Sequence, residues 1–455
     1  MYILALYLSK LAAFTMRLLG KRATYLPGEI ALKVCPKFLG KIGRPQTVVC
    51  VTGTNGKTTV CNMICDILRK NGIDPANNNY GSNIASGIAS ALLQNSDFFG
   101  RAKKQLAVLE VDERSSLKIY PYLKPDFVVC TNLFRDSIKR NAHTEFISYV
   151  INSAMPKTTK LILNGDDIIA SGIGSNENPK VYFGIERLER DNDEPSDAIR
   201  DIINCPVCDT ELTYDFSRYN HIGRVHCKNC GFKSPDIDYL VTKIGQTDIT
   251  ISYKNNETTY NQINDNIVNI YNMAAAIALL REIGINNKNI ISAFEGLKPV
   301  QSRFSSEVKN GIEIIMQLAK GQNPIACSRV FDYIARSEGD KAVLLNLDDR
   351  DDAKYDSENV TWLYDCDYTG LCDDSIRQII VGGKRAHDQH LRLLMAGVPE
   401  NKIVITAKES DTPEFVSFED IDKIFVLYDI YTVDLAQNIK DRLKERLDKE
   451  VAICE

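Results

Sequence analysis

The fold of this chain is decided by one stretch, Val48-Val49-Cys50-Val51-Thr52-Gly53-Thr54-Asn55-Gly56-Lys57-Thr58-Thr59. Its apolar beginning predicts a buried β-strand, and the run from Val60 to Lys70 that follows predicts a helix. Glycines between a strand and a helix let backbone N–H groups approach a phosphate, and the helix dipole favours negative charge there. The stretch therefore predicts an α/β domain that binds the phosphates of a nucleotide.

The side chains of this loop suit a nucleoside triphosphate with its magnesium ion. Lys57 is expected to be catalytic by reaching the β- and γ-phosphates of ATP, and the Thr58 hydroxyl is expected to hold Mg²⁺. The match to the usual phosphate-loop pattern is incomplete, because Val51 stands where the first glycine is expected. An ordinary strand-to-helix turn is the alternative interpretation. The residues expected to contact the nucleotide are Gly53, Thr54, Asn55, Gly56, Lys57, Thr58 and Thr59.

Apolar runs that alternate with helical stretches predict a parallel α/β sheet around this loop. The next predicted strands cover residues 106–111, 126–130 and 160–163. In a parallel sheet, ligand-binding groups gather at the carboxyl ends of the strands. Glu110 and Glu113 stand at one such end, where they could hold magnesium or could belong to a solvated strand end.

The loop sequence Thr-Gly-Thr-Asn-Gly-Lys-Thr resembles the ATP loop of the Mur ligase family. Members of this family join an amino acid or an amine to a carboxylate through an acyl phosphate. The resemblance implies that Glu110 is a catalytic residue that holds Mg²⁺, with Glu113 as the second candidate. It also implies that Asn272 contacts adenine and that Arg303 grips the γ-phosphate. From the residues alone, Asn269 or Asn272 could instead cap the helix in which they stand.

The composition bounds the class of protein. A chain of 455 residues can form two or three domains, and a net charge of −5 gives no reason to expect nucleic-acid binding. The 13 cysteines are odd in number and no signal peptide is recognisable, so a reduced, cytoplasmic protein is expected. The first twenty residues are apolar, with Lys10 and Arg17 spaced through them. They predict a helix that either packs on the protein or lies on a membrane surface.

Three segments are expected along the chain. An N-terminal helical segment covers residues 1–45, an ATP-binding domain covers 46–304, and a smaller C-terminal α/β domain covers 305–455. The charged helix from Asp434 to Lys449 is expected to present a solvated face. The predicted strands of the C-terminal domain are 342–346, 378–381, 402–406 and 424–427.

Two C-x-x-C pairs mark an insertion at about residues 200–235. Cys205 and Cys208 are separated by eighteen residues from Cys227 and Cys230, which is the spacing of a Cys₄ zinc ribbon. Four thiolates complete a tetrahedral Zn²⁺ site and leave no open position, so the expected role is structural. His226 is a weaker alternative ligand. The remaining cysteines fall mostly in apolar segments and are expected in the core.

The segment from Thr131 to Arg140 also resembles the family. Many Mur ligases carry a histidine after the aspartate that matches Asp136, and that histidine serves a second metal. Ser137 and Lys139 stand here instead, which counts against a second protein-bound metal and against the members that add amino acids.

The ribbon and the C-terminal segment resemble one branch of the Mur ligases, over essentially the whole chain. Members of that branch amidate the α-carboxylate of D-glutamate in the stem peptide of lipid II, at the cytoplasmic face of the membrane. ATP converts the carboxylate to an acyl phosphate, and ammonia then replaces the phosphate to give D-isoglutamine. The further matching segments are Gly20-Lys21-Arg22, Leu26-Pro27-Gly28, Leu133-Phe134-Arg135-Asp136 and Thr361-Trp362-Leu363-Tyr364-Asp365.

The ammonia source implied by this branch is a separate glutaminase subunit, GatD. The chain has no cysteine in a Gly-x-Cys-x-Gly elbow, which agrees with an external glutaminase. The resemblance implies that an acid from this chain completes the partner's active site, with Asp356 as first choice and Asp365 as second. Two other classes stay open: a ligase that adds an amino acid to a peptidoglycan or folate-like carboxylate, and a nucleotide-sensing scaffold.

Overall fold

The computed structural model describes residues 1–79, 81–135, 143–195, 201–263, 266–295, 304–319, 323–347, 360–429 and 431–454. The chain divides into two compact units. The first contains Met1–Phe134 and Thr144–Pro299, and the second contains Arg135–His143 and Val300–Glu455.

The first unit is built on a large sheet with helices on its faces. Its described strands are β1 (Thr47–Thr52), β2 (Ala76–Asn77), β3 (Leu106–Glu110), β4 (Phe127–Cys130), β5 (Lys160–Asn164), β6 (Lys180–Ile185), β7 (Thr213–Tyr219), β8 (Ile222–His226), β9 (Tyr239–Ile244), β10 (Asp248–Tyr253) and β11 (Asn256–Asn261). Its described helices are α1 (Tyr2–Leu18), α2 (Leu26–Val34), α3 (Lys57–Lys70), α4 (Ala85–Gln94), α5 (Ser116–Leu123), α6 (Thr144–Ala154), α7 (Ile168–Ser171), α8 (Ile267–Glu282) and α9 (Asn287–Phe294).

The strand order of the large sheet is β11-β10-β9-β6-β5-β4-β1-β3-β2, and the neighbours from β9 to β2 are parallel. Strand β1 lies inside the sheet and is buried. Its unbroken apolar run suits this position, because a strand inside a parallel sheet is covered on both faces. It pairs with β3 on one side and with β4 on the other, through registers such as Val48↔Ala107 and Cys50↔Val128. After β1 the chain forms β2 and β3 on one side of that strand and then returns to form β4 on the other side. The carboxyl end of β1 is therefore a topological switch point.

The parallel sheet and the strands predicted for it are confirmed, with their ends shifted by a residue. The helix predicted from Val60 begins earlier, at Lys57, so the phosphate-loop lysine is the first helical residue. Strands β9 to β11 extend the sheet at one edge. Strands β10 and β11 are antiparallel to their neighbours, and their polar, alternating sequences gave no strong strand signal.

The connection between β6 and β9 is unusual. These strands are parallel neighbours, with Phe183 opposite Tyr239, so the chain that leaves β6 must turn back and reverse its direction again before it enters β9. A helix usually forms such a crossover. Here the described residues of the connection, 186–195 and 201–238, contain no helix; they form the hairpin β7–β8 and carry the two C-x-x-C pairs.

The N-terminal helix packs one face on the protein. Ala5, Leu6, Ser9 and Ala13 are buried, where α1 meets α2 and α4. The packing expected for this segment is therefore found on one side of the helix. Among the described residues, no helix combines the length and the unbroken apolar character needed to cross a bilayer.

The second unit is a smaller α/β domain, as predicted. Its sheet has the order β12-β13-β17-β14-β15-β16, parallel except for the pair β12–β13. Its described strands are β12 (Phe304–Lys309), β13 (Ile312–Leu318), β14 (Lys341–Leu345), β15 (Ile376–Gly382), β16 (Ile403–Thr406) and β17 (Lys423–Tyr428). Its described helices are α10 (Pro324–Arg336), α11 (Thr361–Asp365), α12 (Ala386–Ala396) and α13 (Val433–Cys454).

The last helix presents a solvated face, as expected, and its opposite side is buried. Ala436, Ile439, Leu443 and Leu447 of α13 are buried against the sheet of the second unit. These residues recur at helical spacing and form a narrow apolar stripe, which the surrounding charges obscured in the sequence.

The core positions predicted for most cysteines are confirmed. Burial raises the pKa of the Cys50, Cys61 and Cys130 thiols, so these groups stay protonated and unreactive. The buried cysteines outside the two C-x-x-C pairs are Cys35, Cys50, Cys61, Cys65, Cys130, Cys327 and Cys366.

Candidate functional site

The phosphate loop connects β1 to α3 and depends on two glycines with positive φ. Gly53 has φ +124° and Gly56 has φ +89°, a region that other residues rarely adopt. A Cβ on Gly53 would lie 2.3 Å from Thr131 Oγ1, and one on Gly56 would lie 2.2 Å from Asn272 Oδ1. The loop therefore needs glycine at both positions, for its backbone angles and for the close approach of its neighbours.

The segment that follows β4 holds the loop in place. The Asn132 carboxamide accepts from Asn55 N at 2.9 Å and donates to Asn55 O at 3.0 Å. Thr131 Oγ1 donates to the same carbonyl at 2.6 Å, and Phe134 N donates to Thr54 Oγ1 at 2.9 Å. These bonds run between two strand ends that are adjacent in the sheet. The Thr-Asn sequence after a buried strand was the available signal for this contact.

Lys57 forms an ion pair with a buried carboxylate. Its Nζ lies 2.9 Å from Glu113 Oε1 and also donates to the Gly53 carbonyl. Burial raises the pKa of Glu113 and the positive charge of Lys57 opposes that shift. Glu113, the second candidate for magnesium, thus lies beside the phosphate-loop lysine.

Glu110, the first candidate, lies at the loop threonine. Thr58 Oγ1 donates to Glu110 Oε2 at 2.7 Å, and Asn83 Nδ2 donates to Glu110 Oε1 at 3.1 Å. The backbone of Glu110 is fixed by Asn78, which accepts from its N–H and donates to its carbonyl, both at 2.9 Å. A hydroxyl and a carboxylate are hard oxygen ligands, so this pair fits a magnesium ion that keeps several waters.

Asn272 is buried in α8 and lies against Gly56. The explanation that Asn269 or Asn272 caps this helix is wrong, because the cap is Asn266, whose side chain accepts from Val268 N at 3.0 Å. The role of Asn272 in adenine binding stays a prediction. Several other predicted positions lie outside the described residues, namely Asp136, Ser137, Lys139, Arg303 and Asp356.

The four cysteines of the C-x-x-C pairs converge. Their sulfur atoms all lie within 4.8 Å of one another, with Cys205 Sγ 3.5 Å from Cys230 Sγ and Cys208 Sγ 3.5 Å from Cys227 Sγ. A tetrahedral site with Zn–S bonds of about 2.3 Å requires sulfur separations of about 3.8 Å. The cluster therefore has the ligand number and the approximate spacing of a tetrahedral zinc site.

The two pairs have the same local geometry. Asp209 N donates to Cys205 O at 2.9 Å, and Gly231 N donates to Cys227 O at 3.2 Å. Both donors follow the second cysteine of their pair and both have positive φ, +60° for Asp209 and +74° for Gly231. The alternative ligand His226 is not in the cluster, since its Nδ1 lies 2.8 Å from Asp215 Oδ1.

Two adjacent aspartates after β5 anchor the ribbon hairpin to the sheet. The carboxylate of Asp166 accepts from Arg224 Nε at 3.0 Å, from Tyr271 OH at 2.8 Å and from Ile185 N at 2.8 Å. Arg218 also lies 3.4 Å from Asp166 and is almost fully buried. Asp166 therefore joins the hairpin, β6 and α8.

Asp167 connects the hairpin to the segment that braces the phosphate loop. Its carboxylate accepts from Leu133 N at 2.8 Å and lies 3.3 Å from His221 Nε2. Burial opposes protonation of His221, but the charges of Asp167 and Asp201 raise its pKa above the usual value. The His221 ring also packs on Phe134, with the centroids 4.7 Å apart. Sequence analysis did not identify His221, because nothing local marks its partners.

In the second unit, Asp365 is the described candidate for the acid that serves a glutaminase. It ends α11, its side chain is mostly buried, and Asp365 Oδ2 lies 3.7 Å from Arg135 Nη1. No described contact of Asp365 tests that role.

Comparisons with known proteins cover both units. The family model of the Mur ligase middle domain matches residues 51–206, and the model described as MurT ligase C-terminal matches residues 320–433. A protein of Staphylococcus aureus strain COL, named lipid II isoglutaminyl synthase (glutamine-hydrolyzing) subunit MurT, is 34% identical over 420 residues, which are 90% of this chain and 93% of the relative. The protein of that name from Streptococcus pneumoniae strain ATCC BAA-255 / R6 is 30% identical over 430 residues, 93% of each chain.

The fold has solved counterparts. A pseudomurein peptide ligase type C from Methanothermus fervidus superposes with a TM-score of 0.66 at 21% identity, and the match covers 90% of this chain and 81% of that one. At this identity the likeness concerns the fold alone.

Proposed function

This chain belongs to the MurT family of the Mur ligases, and from that premise we propose that it is the ATP-dependent subunit of an enzyme that amidates lipid II. Its substrate is the α-carboxylate of D-glutamate in the stem peptide, and its product is D-isoglutamine. The observation that carries the proposal is that the similarity to the Staphylococcus aureus and Streptococcus pneumoniae subunits extends through both units of the chain.

The proposed ATP site lies in the central segment, residues 46–304. Lys57 would bind the β- and γ-phosphates, and Thr58 with Glu110 would hold Mg²⁺, which neutralises phosphate charge during transfer. Arg303 would add a second positive charge, and Asn272 would contact the adenine. Support comes from the oxygen pair of Thr58 and Glu110, 2.7 Å apart at the end of β3, and from the buried position of Asn272 against the loop. The full set of loop residues assigned to the nucleotide is Gly53, Thr54, Asn55, Gly56, Lys57, Thr58 and Thr59.

The proposed reaction has two stages. A carboxylate oxygen of D-glutamate attacks the γ-phosphorus of ATP, the bond to the bridging oxygen breaks, and an acyl phosphate and ADP result. Ammonia then adds to the acyl carbon, loses a proton, and displaces inorganic phosphate. The protein contributes positive charge and position, because phosphoryl transfer needs charge stabilisation more than covalent participation.

Ammonia would come from a GatD-like glutaminase that binds this chain. The relatives support this, since they are named as subunits of glutamine-hydrolysing enzymes. We propose that Asp356, or else Asp365, orients the catalytic histidine of that partner, in the C-terminal segment 305–455. A histidine base needs its second nitrogen held in one tautomer, and a carboxylate does this well.

The Cys₄ cluster would bind one structural Zn²⁺. Four sulfur ligands leave no coordination position for a substrate, so the ion would stabilise the ribbon and supply no catalytic water. The ribbon would then contribute through the contacts of its hairpin with Asp166 and Asp167.

The test is reconstitution of the chain with its glutaminase on lipid II. We expect a product whose mass change corresponds to replacement of a hydroxyl by an amino group, formed with glutamine or with ammonium, and one ADP per amide. Addition of an amino acid with no amidation would assign the chain to the ligases that extend the peptide. Nucleotide binding with neither ADP release nor a modified substrate would leave a nucleotide-sensing scaffold.

A further inference from the structure

One side of α1 is apolar and uncovered. The helix buries Ala5, Leu6, Ser9 and Ala13, yet its opposite side carries large apolar residues at helical spacing. Leu11 is 62% exposed, Phe14 is 59% exposed and Leu18 is 71% exposed. A surface helix of a globular protein normally has a polar outer side, so an apolar outer side indicates something that covers it.

A neighbouring loop extends this apolar surface. Phe98 and Phe99 are 66% and 68% exposed, and the Phe98 ring packs on Tyr7 of α1 with centroids 5.0 Å apart. Lys10 fixes the loop to the helix, because its Nζ donates to Asp97 O at 2.8 Å and to Ser96 Oγ at 3.2 Å. We call the combined surface the N-terminal apolar patch; it consists of Ile3, Leu4, Tyr7, Leu8, Leu11, Phe14, Leu18, Phe98 and Phe99.

The charge around the patch is positive. Residues 1–45 contain eight lysines and arginines and one acidic residue, Glu29, although the whole chain has a net charge of −5. Glu29 is paired with Lys33 at 2.9 Å. Arg17 and Lys21 are exposed at the end of α1, and the Arg101 guanidinium lies 5.9 Å from the centroid of the Phe99 ring.

Apolar side chains bordered by basic ones match the surface of a bilayer with acidic headgroups. Aromatic and aliphatic residues enter the boundary between headgroups and acyl chains, and lysine and arginine contact lipid phosphates. The helix cannot span the bilayer, because its 17 residues reach only about 26 Å, less than the roughly 30 Å of the hydrocarbon layer. On a bilayer the helix would lie flat along the surface, because its other side is packed on α2 and α4.

We propose that the N-terminal apolar patch docks the protein on the surface of a membrane that contains acidic phospholipids. Helix α4 connects the patch to the candidate site. Its body packs on α1, and it starts just after Asn83, whose side chain donates to Glu110 at 3.1 Å. Docking would therefore hold the ligase site near lipid-linked substrate. Only this last step rests on the proposed function; membrane binding itself does not.

The experiment is flotation of the full chain with vesicles, without ATP, glutaminase or lipid II. Vesicles of phosphatidylcholine alone are compared with vesicles containing phosphatidylglycerol, at low and high salt. We expect binding to the acidic vesicles that weakens as salt rises. Phe98→Ser/Phe99→Ser should reduce it by about tenfold or more for each phenylalanine, because each inserted ring loses its burial. The control Leu391→Ser/Met395→Ser removes two exposed apolar side chains from α12 and should bind like the wild type.

Each alternative outcome overturns the proposal. If the wild type does not bind the vesicles, or if the Phe98→Ser/Phe99→Ser variant binds them as well as the wild type does, the patch has another role. If the variant instead lowers the molecular mass of the free protein or abolishes its complex with the glutaminase, then a second copy or the partner covers the patch. Thermal melting of each variant verifies folding. Amidation of detergent-solubilised lipid II tests the proposed function separately, and it should persist in the patch variant.

Discussion

The ammonium group of Lys57 lies 2.9 Å from Glu113 Oε1, and the side chain of Glu113 is 2% exposed. The loop lysine is thus positioned by a carboxylate that water hardly reaches. A buried charge depends on its partner, because removal of one member leaves the other without compensation. This pair therefore links the stability of the first unit to the residue assigned to the phosphates.

Lys57→Ala is expected to abolish ATP-dependent amidation and to lower the free energy of unfolding by about 3–5 kcal/mol at neutral pH, since Glu113 loses its partner. Glu113 then has a folded-state pKa further above its unfolded value. A carboxyl with a raised folded pKa opposes folding above the unfolded pKa, and this cost disappears as pH falls through the folded pKa. Urea denaturation at pH 5 and pH 8 should show the smaller loss at pH 5.

The double variant Lys57→Ala/Glu113→Gln is the control. Its glutamine carries no charge, so it should recover part of the lost stability and remove the pH dependence, while activity stays absent. A stability loss that is equal at both pH values would mean that the ion pair contributes little.

Glu110→Ala is expected to reduce the rate of amidation by about 10²–10³-fold or more. Losses of this size are usual when one group that stabilises the charge of a transition state is removed. The reaction is driven by ammonium and measured across a magnesium titration, so that the glutaminase has no influence. The loop should stay folded, because Glu110 is partly exposed. If Glu110→Ala reaches the full rate at high magnesium and Glu113→Ala does not, the metal ligand is Glu113.

One zinc ion per chain is expected in reduced, purified protein, and Cys205→Ser, Cys208→Ser, Cys227→Ser or Cys230→Ser should each lose it. Binding energy in such sites is folding energy, so each replacement should lower the melting temperature. Elemental analysis and melting curves are the measurements. The control is Cys372→Ser, a half-buried cysteine of the second unit that should change neither. If the purified, reduced wild-type chain contains no zinc and the four cysteine variants melt at the wild-type temperature, the zinc site is excluded.

His221 should make stability depend on pH. Its pKa is raised in the folded protein, so its contribution is complete below the unfolded pKa and is lost as pH rises through the folded pKa. His221→Gln is therefore expected to cost more stability at pH 6 than at pH 9. In Asp167→Asn/His221→Gln the same comparison should give no difference.

Because Asp167 also holds Leu133, its variants should raise the KM for ATP. An unchanged KM would limit Asp167 to a structural role.

Asp356→Asn is expected to impair amidation driven by glutamine and to spare amidation driven by ammonium, because only the partner's site would lose a group. Asp365→Asn is the matched variant. If Asp365→Asn alone shows this split, then Asp365 is the acid lent to the partner. Equal losses with both nitrogen sources would assign the residue to the ligase site or to folding.

The sequence predicted those parts of the structure that are encoded locally. The strand, loop and helix around Gly53 and Lys57 follow from neighbouring residues, and the cysteine cluster follows from spacing. Contacts between distant residues had no such signal: Arg224 and Tyr271 stand 58 and 105 residues from Asp166, which they bind. The helical spacing in α1 was also visible, but which side stays uncovered depends on α2 and α4.

The place of the ribbon in the sheet restricts how this protein can be redesigned. Strands β6 and β9 run side by side in the same direction, with Tyr239 at the start of β9 opposite Phe183, two residues or about 7 Å back from the end of β6 at Ile185. The chain between them must therefore turn back and turn again, which takes a crossover even over this short offset. Simple excision of residues 186–238 would leave ends that no short splice can join. A metal-independent version needs a substitute crossover of a dozen or more residues, and that graft must also offer partners to Asp166 and Asp167.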